Sequence, residues 1–149
     1  MSLTFRHARR EDVARIVEML SDDVLGQGRE AADLTPYLAA FDRMGAETHN
    51  QILVGEQDGR IVATYQLFLI SSLSHTATRR AEIEAVRVDT SLRGQGLGEQ
   101  LMRDAEKRAR AEGCGLLQFT SNKSRDRAHA FYKRMGYVAS HEGFKRKLD

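Results

Sequence analysis

The residues best placed to do chemistry are Arg93-Gly94-Gln95-Gly96-Leu97-Gly98, a glycine-rich turn between the strand-like run Val86-Arg87-Val88 and a stretch of helical spacing. Such a turn binds anions. The first turn of a helix offers unpaired N–H groups at the positive end of its dipole, and glycines let those amides approach phosphate oxygens closely. Arg93 adds a positive charge at the mouth. The spacing fits neither the nucleotide form Gly-x-x-x-x-Gly-Lys-Ser/Thr nor the dinucleotide form Gly-x-Gly-x-x-Gly. The plainer alternative is a turn that only packs a helix onto a sheet. Metal chemistry is not expected. The histidines His7, His49, His75, His129 and His141 show no metal-binding spacing, and the single cysteine, Cys114, forms neither an internal disulfide nor a Cys-rich site.

The elements that position the turn belong to an α/β chain. At 149 residues, with 41% hydrophobic and 30% charged residues, the chain is the size of one soluble globular domain, read here as 1–149. No segment reads as a leader or a membrane span, and a reducing, cytoplasmic setting suits the lone cysteine. The net charge of +2 hides an asymmetry: residues 1–92 sum to −4 and residues 93–149 to +6. An acidic ligand therefore belongs to the second half, although solvated helix faces would give the same count.

Residues 3–8 read as a strand, and Val13, Ile16, Val17 and Leu20 as the apolar stripe of a first helix. Ser21–Asp33 reads as a loop, and Pro36 opens a second helix over Tyr37–Met44. Gln51–Gln57 and Arg60–Ile70 form a hairpin around Asp58-Gly59. A polar loop, Ser71–Thr78, precedes a strand over Arg80–Asp89, where Ile83 and Ala85 alternate to one side and Val86 and Val88 to the other. That change of phase predicts either a β-bulge near Ala85 or a strand buried on both faces. A helix from Gly96 to a stop at Gly113, a fifth buried strand over Gly115–Thr120, and a helix carrying Ala128, Phe131, Tyr132 and Met135 up to Gly136 follow. Tyr137–Ser140 and Gly143–Leu148 read as closing antiparallel strands.

Arg93, Gly96 and Gly98 match the Arg/Gln-x-x-Gly-x-Gly/Ala turn of the GNAT superfamily of N-acetyltransferases, which the chain resembles over nearly its whole length. The likeness extends to Phe5-Arg6-His7-Ala8 with Asp12, to Ile83-Glu84-Ala85-Val86-Arg87-Val88, and to Ala128–Tyr137 with its Phe131-Tyr132 pair. It implies a mixed, twisted sheet of about 6–7 strands flanked by about four helices, with parallel fourth and fifth strands splayed apart. It implies acetyl-CoA as donor, with backbone groups of Val86 and Val88 (Arg87 between them) on the pantetheine arm and amides of Gly94, Gln95, Gly96, Leu97 and Gly98 on the pyrophosphate. Many relatives carry Asn where Arg125 stands; Arg125 could reach the pantetheine or the 3′-phosphate, or cap a helix in solvent.

The resemblance implies direct transfer of an acetyl group to a primary amine, of a small molecule first and of a protein second. An ammonium of reference pKa about 10.4 must lose a proton before it attacks a thioester. Glu84 is the expected base, directly or through water, with Glu82 on the same side as backup. Amides freed by a bulge near Ala85–Val88 would stabilise the oxyanion, and Tyr132 would protonate the departing thiolate. Cys114, at a helix carboxyl end, is a poor acyl carrier. A domain that binds acyl-CoA without turnover remains the alternative. Nucleic acid and membrane are not expected as partners; many relatives form homodimers, and the sequence itself fixes no stoichiometry. The acceptor would be chosen by residues 21–45 and Ser71–Thr78, whose acidic residues Asp22, Asp23, Glu30 and Asp33 suit a cationic amine.

Overall fold

A computed structural model describes residues 3–22, 30 and 33–149 of the chain. It divides into two compact units, residues 1–118 and residues 119–149. Most of the loop read over Ser21–Asp33 lies outside the described residues.

In the first unit, β1 (Thr4–His7), β2 (Asn50–Gln57), β3 (Arg60–Ile70), β4 (Arg80–Val88) and β5 (Leu116–Gln118) form one sheet in that order. All neighbours are antiparallel apart from the parallel pair β4–β5. Asp58 and Gly59 turn the β2–β3 hairpin with φ of 53° and 75°, as a two-residue turn that follows the twist of the strands requires. The helices are α1 (Val13–Ser21), α2 (Thr35–Met44), a short turn α3 (Ser74–Ala77), α4 (Leu97–Ala111) and, in the second unit, α5 (Asp126–Arg134). Pro36 sits in the first turn of α2, where no N–H is missed.

Alternation along the strands separates the two faces of the sheet. Leu53, Tyr65, Leu67, Leu69, Ala81 and Ile83 share one face by register and are all buried, as are Leu97, Leu101, Met102, Ala105 and Ala109 of α4. The Tyr65 hydroxyl donates to Asp104 of α4 at 2.6 Å, and Arg108 donates to the same carboxylate at 2.8 Å and to the Phe5 carbonyl at 3.2 Å. Burial, and then the bond to Asp104, pushes the Tyr65 phenol well above its ordinary value. On the other face, α1 buries Val13, Ile16 and Val17, while Arg15 donates to the Ile61 carbonyl at 3.1 Å and to Asp89 at 2.6 Å. Arg6 ties the start of the chain down: its guanidinium meets Asp12 at 2.7 and 3.1 Å and Glu56 at 2.6 Å. Burial alone would raise the Asp12 pKa, but Arg6 and the Arg9 amide together hold it below the usual carboxylate range.

Three expectations are corrected. The sheet has five strands among the described residues, fewer than the 6–7 expected. The fifth strand is three residues long and carries a 44% exposed Leu116, so it is an edge and not a buried strand. Tyr137–Ser140 and Gly143–Leu148 form no strands, and Val138, Phe144 and Leu148 are 82%, 90% and 91% exposed. The reason is visible in the last run: Lys145-Arg146-Lys147 separates Phe144 from Leu148, so no continuous apolar side exists to lay on a sheet.

Candidate active site

The strand β4 is broken where its alternation changes phase. Thr64 pairs with Arg87 and Gln66 with Glu84, so Ala85 and Val86 together oppose the single residue Tyr65. This is a β-bulge, and Ala85 adopts a φ of 52° within it. Of the two arrangements open from the sequence, the bulge is the one observed. Pairing with β5 covers only Arg80, Ala81 and Glu82, so from Ile83 to Val88 that edge of β4 has no strand beside it among the described residues. Arg87 donates through Nη1 to the Val86 carbonyl at 2.9 Å.

The glycine-rich turn is attached to the end of β4 by Asp89. Its carboxylate accepts from the Ser91 amide at 2.9 Å and the Ser91 hydroxyl at 2.7 Å, and Arg15 holds its other oxygen. Those Ser91 bonds, in the main, keep the Asp89 carboxyl below its usual range. Gly94 and Gly96 then take φ of 80° and 78°, a region that L side chains rarely adopt. A Cβ built on either meets nothing within 4 Å, so the space before the turn is open. Gly96 is the N-cap of α4, and the amides of Leu97, Gly98 and Glu99 that follow have no partner within the helix. Arg93 and Gln95 are exposed at the same mouth. Glu99, an anion in this first turn, is drawn back by Arg103 at 2.7 Å.

Where α1 does not cover the second face of the sheet, a cleft of about 500 Å³ remains. Gln66, Phe68, Glu82 and Glu84 project to this face by register. Glu82 and Glu84 line the cleft together with Phe68, Leu69 and Ile70 of β3 and Glu47, Thr48, His49 and Asn50 before and at the start of β2. Gln66 Nε2 donates to Asn50 Oδ1 at 2.7 Å, and Asn50 Nδ2 donates to Glu47 Oε2 at 2.7 Å, which fixes the Glu47 carboxylate. Glu84 is exposed beside the bulge. Thus Glu84, Glu82, Val86, Arg87, Val88 and the turn Arg93–Gly98 follow one another along a single path in the first unit. Glu47, His49, Asn50 and Gln66 were missed by sequence reasoning.

Tyr132 and Arg125 belong to the second unit. Tyr132 is half-buried in an aromatic cluster, with ring centroids 4.5 Å from Phe119, 5.3 Å from Phe131 and 6.2 Å from Tyr137. Arg125 is the N-cap residue of α5, its amide donating to the Asn122 carbonyl at 3.0 Å. Burial, above the opposing effect of Arg79, raises the Cys114 thiol, which disfavours the thiolate an acyl carrier needs. Among the described residues no group of three or more His, Cys, Asp or Glu side chains could hold a metal ion, and no helix is long and apolar enough to cross a membrane.

A mixed sheet with one parallel strand pair, a bulged fourth strand and a glycine turn opening a long helix are the features that the resemblance to the N-acetyltransferases implies. The pattern of the Acetyltransferase (GNAT) family matches residues 13–137. An aminoalkylphosphonate N-acetyltransferase of Salmonella typhimurium is 31% identical, over 96% of this chain and 90% of its own. A glucosamine 6-phosphate N-acetyltransferase of Trypanosoma brucei brucei is 26% identical, over 93% and 91%. A crystal structure described as a transcriptional regulator from Bacillus halodurans C-125 superposes with a TM-score of 0.94 at 37% identity, covering 99% of this chain and 100% of that one. The chain belongs to the GNAT family and is an N-acetyltransferase.

Proposed function

We propose that the protein moves the acetyl group of acetyl-CoA directly to the primary amine of a small molecule, within one ternary complex. The observation that carries this reading is the path along β4: an edge without a strand partner, a bulge at Ala85, and the open glycine turn at its end. Main-chain groups of Val86 and Val88 would pair with the pantetheine arm as a strand would. The amides from Gly94 to Gly98 and the Arg93 guanidinium would hold the pyrophosphate. Arg125 would add a cation on the second unit. Bound there, acetyl-CoA supplies an activated acyl carbon.

Glu84 takes a proton from the substrate ammonium, directly or through a water, with Glu82 in the adjoining position on the strand face. The nitrogen lone pair then bonds to the acyl carbon and the carbon–sulfur bond breaks. Amides at the bulge donate to the carbonyl oxygen as its charge grows. Tyr132 gives its phenolic proton to the leaving sulfur. The amide nitrogen loses its second proton to solvent, and Glu84 releases a proton as Tyr132 takes one up, so both groups are restored and the products are the N-acetylated amine, coenzyme A and one proton. Thiol release from acetyl-CoA with an amine panel tests the assignments: Glu84→Gln and Tyr132→Phe should each lower kcat. Unchanged thiol release in both variants would mean that the groups named here do not carry the reaction.

A further inference from the structure

On the acetyl-transfer reading, the cleft beside the bulge is where the acceptor amine would sit, and its walls limit what that amine can be. Phe68 and Ile70 supply an apolar side, and Glu47, Glu82 and Glu84 supply three carboxylates, with His49 just before β2. No lysine or arginine lines it among the described residues. Arg80 precedes Glu82 and Glu84 on the same strand face by alternation and pairs with Ile70, but is not among the residues that line the cleft. Glu82 and Glu84 are two residues apart, roughly 6.6 Å along the strand. Glu47 is held from the far side by the chain Gln66–Asn50–Glu47. If Glu84 accepts the proton of the reacting nitrogen, two carboxylates remain that are not needed for that task.

Both curated relatives act on amines that also carry a phosphonate or a phosphate. An anion of that kind in this cleft would face like charges with no lining cation among the described residues to offset them, and that arrangement is unfavourable wherever water is partly excluded. We propose that the acceptor is a small amine with a second cationic centre a few methylenes away, an aliphatic diamine or polyamine. Its methylenes lie against Phe68 and Ile70, its distal ammonium is held by Glu47 and Glu82, and its proximal nitrogen is presented to Glu84. The proposal rests on the acetyl-transfer reading given above and narrows its substrate.

The test measures coenzyme A thiol release from acetyl-CoA with putrescine, with butylamine as the monoamine of equal chain length, and with an aminoalkylphosphonate and glucosamine 6-phosphate. The kcat/KM for putrescine should exceed that for butylamine by about tenfold, the ratio one well-placed ion pair supplies, and both the aminoalkylphosphonate and glucosamine 6-phosphate should be poorer than butylamine. Glu47→Gln and Glu82→Gln should each pull the putrescine-to-butylamine ratio toward one. Either the aminoalkylphosphonate or glucosamine 6-phosphate as the best substrate, a ratio near one in the wild type, or a ratio unmoved in both variants would overturn the inference while leaving acetyl transfer intact. Turnover of none of the amines would overturn both.

Discussion

The two faces of the sheet are built from the same strands and do opposite work. On one, Tyr65, Leu67, Leu69, Ala81 and Ile83 are sealed against α4, and the one polar tip there, the Tyr65 hydroxyl, is bonded to Asp104. On the other, Gln66, Phe68, Glu82 and Glu84 stand one residue out of step with that set and border an open cleft. A strand with period two can carry a core and a site at once, since the side chains of successive residues point to opposite faces. The bulge at Ala85 then changes which residues face which side, just before the chain enters the glycine turn.

That contrast can be broken from either side. The largest effect is expected on the open face: Glu84→Gln should lower kcat by about 10²–10⁴, the usual range for a positioned acid or base, and leave the melting temperature unchanged, because Glu84 is exposed. A matching loss of stability would place Glu84 in the fold and not in the chemistry. On the sealed face, Leu67→Ala should cost about 2–5 kcal/mol in urea unfolding through the cavity it leaves, with KM unaltered in the protein that remains folded.

A third change tests what fixes the sheet to its first helix. Asp12→Asn breaks a pair whose carboxylate is 7% exposed and should cost about 3 kcal/mol at neutral pH. Because the folded pKa of Asp12 is depressed, its contribution is complete above the unfolded value of about 3.9 and is lost as pH falls through the lower folded value. The wild type should therefore lose stability more steeply than the variant on acidification, and parallel curves would contradict the assignment. The smallest effect on folding is expected at the turn. Gly96→Ala places a side chain at a φ of 78° with nothing nearby to clash, so it should cost about 1 kcal/mol of strain while raising the KM for acetyl-CoA.

Some of this architecture could be read from residue order. The phase change between Ile83-x-Ala85 and Val86-x-Val88 announces a bulge, and Asp58-Gly59 announces a hairpin, because in each the local pattern has a local cause. The cleft wall had none. Counting outward from Asp58-Gly59 pairs Gln66 with Gln51, but Val62 is an extra residue on β3, and beyond it Gln66 pairs with Ile52. That slip of one position brings Asn50 to the face of Gln66, Glu82 and Glu84, so the Gln66–Asn50–Glu47 chain depends on an irregularity no motif marks. The closing strands were misread for the converse reason. Tyr137, Val138, Phe144 and Leu148 suggest β-structure by type, yet the cations between the last two deny it a face.

The proposed transfer requires a donor held by main-chain amides at one corner of the first unit. Backbone amide resonances followed by nuclear magnetic resonance during titration with coenzyme A test it most directly. The predicted result is that the largest shifts fall on Gly94, Gln95, Gly96, Leu97 and Gly98, with a second set on Val86 and Val88. Shifts confined to other parts of the chain, with those amides still, would contradict it.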